Sequence, residues 1–154
     1  MSRLAETYAK VSPKLAGRPG SAAASRAHAW LVRRSNGRLG RRMLGSDVLV
    51  LRTTGRRSGQ TRDAPMFYVE NPGTLAVVAS NAASAKPPAW WLNLQAEHEA
   101  EALVRGTWRR VRGRRATDAE REALWPQFVA MYAGYDHYRS IATRELPVVV
   151  LEPR

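Results

Sequence analysis

Residues 48–70 read Val48-Leu-Val-Leu-Arg-Thr-Thr-Gly-Arg-Arg-Ser-Gly-Gln-Thr-Arg-Asp-Ala-Pro-Met-Phe-Tyr-Val-Glu70. Val48–Arg52 is apolar and β-branched, the pattern of a buried strand. Ala64–Glu70 reads as a second strand, broken by the turn Asn71-Pro72-Gly73. Thr74–Ser80 follows at hairpin distance. Ala100–Val104 and Thr107–Arg115 form another hairpin about Arg105-Gly106, and Pro147–Leu151 is a last apolar strand that Pro153 should end. In Thr107–Arg115, Trp108 and Arg110 share one face and Arg109 and Val111 the other, so a mostly solvated strand is expected. Two helices interrupt the series. Pro87-Pro88 opens one that carries Trp90, Trp91, Leu92 and Leu94. Thr117-Asp-Ala-Glu120 is a capping box that opens the other, with Leu124, Phe128 and Met131–Tyr132 as its apolar stripe. Gly134 should break it before a final turn through Tyr135, Tyr138 and Ile141. The hairpin turns are too short for crossovers, which excludes a parallel sheet. The expectation is an α+β protein, a small barrel of about six mostly antiparallel strands with flanking helices.

Residues 1–45 differ from the rest. They are rich in Ala, Arg, Gly and Ser and lack strand-like alternation. Ala22–Arg34 reads as a helix with Ala27, Trp30 and Leu31 at helical spacing, stopped by Asn36-Gly37. Arg33, Arg34, Arg38, Arg41 and Arg42 make the segment basic. It is read either as a helix packed on the barrel through Trp30 or as an arm that touches anionic membrane or covers a pocket. The division expected is residues 1–45 as a basic helical extension and 46–154 as the barrel domain.

The chain of 154 residues, 44% of them hydrophobic, can bury a core as one ordinary domain. It has no cysteine, which excludes disulfides, thiolate metal sites and thiol nucleophiles. His28, His98 and His137 are isolated, no metal-ligand spacing occurs, and no metal is expected. There is no Gly-x-Ser-x-Gly elbow. No signal-peptide pattern is visible, and no apolar run approaches the roughly 20 residues of a membrane span, so a cytoplasmic protein is expected. The formal charge of +12 attracts anions: nucleic acid, lipid headgroups or phosphorylated small molecules. Base composition of the gene accounts for Arg and Ala richness equally well, so position must decide.

One position stands out. Thr53–Arg62 joins two strands and holds Gly55 and Gly59, which permit tight turns, around Arg56, Arg57 and Ser58, with Arg62 beyond. Guanidinium groups and short donors on one connection suit phosphate and carboxylate. It is not a P-loop, having one residue too few and no Lys. Taken alone it is as well read as a plain basic hairpin loop. Trp90 and Trp91, and tyrosines Tyr132, Tyr135 and Tyr138 spaced by three, supply aromatic surface that a flat ring system could use.

The chain resembles the deazaflavin (F420)-dependent nitroreductase family. The resemblance runs from about Arg33 to the C-terminus through Leu51–Arg62, Pro65, Val77-Val-Ala-Ser80, Pro88-Ala-Trp-Trp-Leu-Asn-Leu94, Tyr132-x-x-Tyr135-x-x-Tyr138 and Leu146-Pro-Val-Val-Val-Leu-Glu-Pro153. It implies a split β-barrel of the FMN-binding type and coenzyme F420, a deazaflavin with a phosphate and an oligoglutamate tail. It implies that Arg56, Arg57, Ser58 and Arg62 hold the phosphate or tail. Asp63, Ala64, Pro65, Met66 and Phe67, then Val78, Ala79, Ser80 and Asn81, then Ala89, Trp90, Trp91, Leu92 and Asn93 would surround the ring, and Tyr135 would close it. Tyr132, Tyr135 and Tyr138 would meet the substrate, with Tyr138 and Ser80 as catalytic candidates. The implied activity is hydride transfer from reduced deazaflavin to a quinone, nitroaromatic or other conjugated acceptor. A coenzyme that carries the hard step accounts for the missing catalytic cluster.

The pattern departs from the family at Asn81, where relatives often carry a basic residue, at Trp91 in place of a common Tyr, and at Glu97-His98 in place of Asn-Pro. The partners expected are a small-molecule acceptor and no nucleic acid, with peripheral contact at the inner face of the membrane through the N-terminal arm, as monomer or homodimer. The alternative is a carrier of flavin or haem on the same barrel.

Overall fold

The computed structural model describes residues 3–15 and 19–154. In chain order the elements are α1 (Arg3–Leu15), α2 (Pro19–Arg34), β1 (Arg42–Met43), β2 (Ser46–Thr54), β3 (Thr61–Phe67), β4 (Val69–Asn71) and β5 (Thr74–Val78). A short 3₁₀ turn (Asn81–Ala83) follows, then α3 (Ala89–Ala96), β6 (Glu99–Val104), β7 (Thr107–Arg115), α4 (Asp118–Met131), α5 (Gly134–Ile141) and β8 (Val148–Pro153). The strands form one eight-stranded sheet in the order β1-β2-β6-β7-β8-β5-β4, with β3 also paired to β2. Every pairing is antiparallel. The sheet curls into the half-open barrel that the hairpin spacing predicts.

Strand alternation sorts the core. In β5 and β8, Leu75, Val77, Ala79, Val149 and Leu151 face one cluster, with Leu49, Leu51, Trp90, Trp91 and Leu94. Ala76, Val78, Val148 and Val150 face the opposite one, with Phe67, Phe128, Tyr132, Tyr135 and Tyr138. A third, smaller cluster joins Ala29 and Val32 of α2 to Val50 and Leu103. Each fully buried Val or Leu contributes about 1.5–3 kcal/mol over leaving it exposed.

Several expectations are corrected. The strands number eight among the described residues, because the two-residue β1 carries no periodicity and the stretch read as one strand, Ala64–Glu70, divides at Tyr68 into β3 and β4. Helix α2 begins earlier than Ala22, and it does not pack through Trp30, which is 55% exposed. Its buried stripe is Ala29 and Val32, which pack with Val50 of β2 and Leu103 of β6 while the helix runs along β3. Strand β7 is mostly solvated as expected, although it lies between β6 and β8, and only Val111 and Gly113 are buried. A Cβ at Gly113 would stand 2.7 Å from Leu94 Cδ1, so the missing side chain is what lets α3 seat on β7. Strand β8 runs two residues past Leu151 and ends at Pro153, as expected. Gly134 opens a second helix instead of a turn, and the Tyr132 ring fills the space its Cβ would take. Helix α1 had no sequence signal assigned to it. It packs Ala5, Ala9 and Ser12 against α5 and the 3₁₀ turn.

Candidate functional site

The β2–β3 connection closes on itself. Gly55 N–H donates to Gln60 O at 2.8 Å, and Ser58 N–H and Gly59 N–H donate to Gly55 O. Gly59 takes φ +67°, a left-handed conformation that glycine adopts without strain. This leaves the side chains of Arg56, Arg57, Ser58 and Arg62 exposed on the hairpin tip. Arg62 Nη2 donates to Gln60 Oε1 at 3.3 Å.

Asn93 of α3 fixes that hairpin to the tryptophan helix. Its carboxamide is 3% exposed. Its Oδ1 accepts from the Arg56 backbone N–H at 3.2 Å and from Arg56 Nη1 at 3.4 Å, and its Nδ2 donates to Thr53 Oγ1 at 3.1 Å. A buried carboxamide satisfied in this way holds the strand end, loop and helix in one arrangement. Trp90 and Trp91 on the same helix are buried and meet edge to face at 6.3 Å. Leu92 is half-buried and Ala89 exposed.

The residues after the loop divide by face. Ala64 and Met66 pack toward the tryptophan cluster, while Phe67 lies against Tyr132 with ring centroids 5.3 Å apart. Pro65 is half-buried opposite Val50. Asp63 turns to neither side. It takes a bidentate contact from Arg52 at 2.8 and 3.1 Å and a further one from Arg33 at 3.1 Å. Arg52 in turn sits 4.1 Å over the Trp108 ring, and the Asp63 hydrogen bond is the main cause that raises its pKa. A cleft of about 420 Å³ opens beside Arg62 and Asp63 toward Arg26 and Trp30 of α2.

At the end of β5, Val78 faces the tyrosine cluster and Ala79 the tryptophan cluster. Ser80 and Asn81 are half-buried in the turn beyond, where Asn81 Nδ2 donates to Lys86 O. Arg144, which sequence reasoning did not single out, donates to the carbonyls of Ala79, Ser80 and Ser84. Burial lowers its pKa from the ordinary guanidinium value.

Tyr132, Tyr135 and Tyr138 are all buried and stack edge to face on one another at 5.6 to 6.1 Å. Tyr138 Oη lies 2.5 Å from Ser12 Oγ of α1 and 3.3 Å from Tyr132 Oη. Tyr8 of α1 adds an edge contact to Tyr132. Ser12 and Tyr8 carried no motif that could have flagged them. Burial pushes the phenol pKa of Tyr132 and of Tyr135 well up, so both remain neutral. Tyr135 packs against Trp125 and Phe128.

The candidate residues therefore fall into two groups on opposite faces of β5 and β8. The loop, Asn93 and the tryptophans form one group, and the tyrosines, Phe67 and α1 the other. The Ser80–Asn81 turn lies where the two faces meet, against α1 and α5. The chemistry available is cationic anchoring at the loop and a chain of hydroxyls, Ser12–Tyr138–Tyr132. Among the described residues there is no cluster of three or more His, Asp or Glu placed to hold a metal.

Known proteins are similar to this chain in sequence and fold. A curated Mycobacterium tuberculosis protein named F420H(2)-dependent quinone reductase is 32% identical over 133 residues, covering 84% of this chain and 89% of the relative. Another from that organism, whose name assigns the same activity provisionally, is 35% identical over 107 residues, 70% of this chain and 90% of its own. Among solved structures, an F420H2-dependent reductase superposes with TM-score 0.63 at 30% identity, over 68% of this chain and 93% of that one. A chain described as a domain-swapped dimer superposes with TM-score 0.66 at 26% identity, over 87% of this chain and 99% of that one. A haem-binding protein of Mycobacterium smegmatis, at 17% identity and TM-score 0.54 over 86% of this chain and 51% of that one, shares the fold alone. The family model described as F420H(2)-dependent quinone reductase matches residues 24–153. The split barrel and the arginine hairpin thus sit in a chain that belongs to the F420H(2)-dependent quinone reductase family, oxidoreductases whose coenzyme is F420.

Proposed function

We propose that this protein binds reduced F420 at the seam between the arginine hairpin and α3 and passes a hydride to a quinone or another conjugated acceptor, nitroaromatic compounds included. The observation that carries this reading is Asn93, which ties Arg56 to the tryptophan helix through hydrogen bonds at 3.1 to 3.4 Å. The donor set fits the coenzyme. Guanidinium groups of Arg56, Arg57 and Arg62 with the Ser58 hydroxyl suit a phosphate and a polycarboxylate tail. Asp63 through Phe67, Val78 through Asn81, and Ala89 through Asn93 flank the ring, and Tyr135 backs the acceptor side.

Bound reduced F420 supplies a hydride, and an acceptor quinone then needs one proton to become the hydroquinone. The protein orients the two and keeps water from the transfer. Tyr138 is the acceptor's hydrogen-bond donor, and its neighbours Tyr132 and Ser12 hold that hydroxyl in place. Ser80, the second catalytic candidate, stands in the turn that follows β5.

Helix α1 supports a membrane-surface location for a lipid-soluble acceptor. Its outward stripe Leu4, Tyr8 and Val11 is exposed and is flanked by Arg3, Lys10 and Lys14. No helix among the described residues is long and apolar enough to cross a membrane.

The reading is tested by anaerobic mixing of the purified protein with F420H2 and a soluble naphthoquinone, following return of oxidised F420. Oxidation that scales with protein concentration and requires the quinone is expected. A rate equal to the protein-free control would overturn the assignment.

A further inference from the structure

Three consecutive residues with a Cβ, Asn81, Ala82 and Ala83, have φ of +46°, +48° and +61°. Left-handed backbone is disfavoured for every L-residue, and a run of it needs support from outside. The turn's own hydrogen bonds are few: Ala83 N–H to Ser80 O and Ser84 N–H to Asn81 O, both at 3.0 Å. Asn81 Nδ2 adds a bond to Lys86 O at 2.9 Å, and the largest set of bonds to the turn comes from Arg144 in the connection from α5 to β8. Its Nε donates to Ser84 O at 2.9 Å, Nη1 to Ala79 O at 3.1 Å and Nη2 to Ser80 O at 2.8 Å. Nη1 also donates to Glu145 O at 2.9 Å. One planar fork thus grips both ends of the left-handed run and uses four donors on main-chain carbonyls. No carboxylate pairs with it among the described residues.

We propose that Arg144 is a positioning residue for the hydride-transfer site: by holding the Ala79–Ser84 turn in its left-handed form, it sets where Ser80 and Asn81 stand between the coenzyme and the tyrosines. The inference rests on the function proposed above. The guanidinium anchors the turn from behind, so the turn's place does not depend on a basic side chain at position 81. A lysine cannot replace it, because a single ammonium cannot span carbonyls of Ala79 and Ser84 together.

The first measurement needs no coenzyme. Amide hydrogen exchange of residues 79–84 is compared in the wild-type chain and in Arg144→Met. Exchange at least about tenfold faster in this segment, with the sheet unchanged, is expected for loss of the clamp. Unchanged exchange would overturn it. The second measurement is F420 affinity and quinone kinetics. Arg144→Met should weaken coenzyme binding and lower kcat by about tenfold each, with Arg144→Lys in between. Adding Ala82→Gly and Ala83→Gly to Arg144→Met, which eases the left-handed backbone, should recover at least about threefold of both. Faster exchange without any change in affinity or kcat would overturn the positioning role, as would a loss that the glycines leave untouched. If Arg144→Met fails to fold, the same comparisons with Arg144→Lys decide. A wild-type chain that neither binds nor oxidises F420H2 overturns the proposed function instead, and the exchange result still settles the clamp.

Discussion

At the residue scale, Asn93 and Tyr138 carry most of the account. Asn93 is buried with each side-chain atom satisfied by the loop or by Thr53. Its position within Trp90-Trp-Leu-Asn93 was legible as a motif, but its partners were not, since Arg56 lies far away in sequence. Tyr138 was legible in the spacing of the tyrosines. Its contact with Ser12 was not, because nothing in Arg3–Leu15 marks that helix as a partner of the tyrosines. We expect Tyr138→Phe to lower kcat about tenfold while the coenzyme dissociation constant stays within about twofold, since only a hydroxyl on the acceptor side is lost. Equal kcat in the two proteins would leave Tyr138 as packing.

At the scale of elements, strands with strong alternation or long apolar runs were read correctly, β2 and β8 among them. The reading failed where tertiary packing overrides local pattern. In β7 the solvated arginines were legible, but the contact of Leu94 with Gly113 on the opposite face was not. Trp30 looks like an anchor, yet the small residues Ala29 and Val32 make the contact. Helix α4 shows the opposite case, a local signal fully realised. Thr117 Oγ1 accepts from Glu120 N–H at 3.2 Å and Glu120 Oε2 accepts from Thr117 N–H at 2.8 Å.

Arg114 also donates to both Glu120 oxygens, at 2.8 and 2.7 Å. These hydrogen bonds, Arg114 first and the Thr117 backbone second, lower the Glu120 pKa from 4.5 to about 2. A carboxylate depressed on folding stabilises the fold above its unfolded pKa and loses that contribution as pH falls toward the folded one. The window is therefore pH 4.5 down to about 2. Glu120→Gln should flatten the stability profile there. At neutral pH it should cost about 0.5–1 kcal/mol, once solvent screening of this partly exposed pair is allowed for. Chemical denaturation from pH 2 to 7 checks both, and an unchanged acid limb would show that other carboxylates set it.

At the scale of the whole molecule, the formal charge of +12 could be read from composition, but its use could not. The structure distributes it. Arg52, Arg33, Arg114 and Arg115 are committed to carboxylates, whereas Arg56 and Arg57 stand on the hairpin tip without an ion pair among the described residues. The basic and apolar outer surface of α1 belongs to the same picture. Leu4→Asp with Val11→Asp should reduce sedimentation with anionic liposomes by about fivefold or more, with little effect on neutral ones. Equal partitioning of variant and parent would remove the membrane from the account.

The central claim is that the arginine hairpin and the tryptophan helix together hold F420. Fluorescence titration of the purified protein with oxidised F420, beside flavin mononucleotide and beside the Arg56→Ala, Arg57→Ala double variant, tests it most directly. The account predicts micromolar or tighter F420 binding, weaker flavin binding, and a loss of about tenfold or more in the variant that grows with glutamate tail length. Absence of micromolar F420 binding, or equal affinity in the double variant, would contradict it.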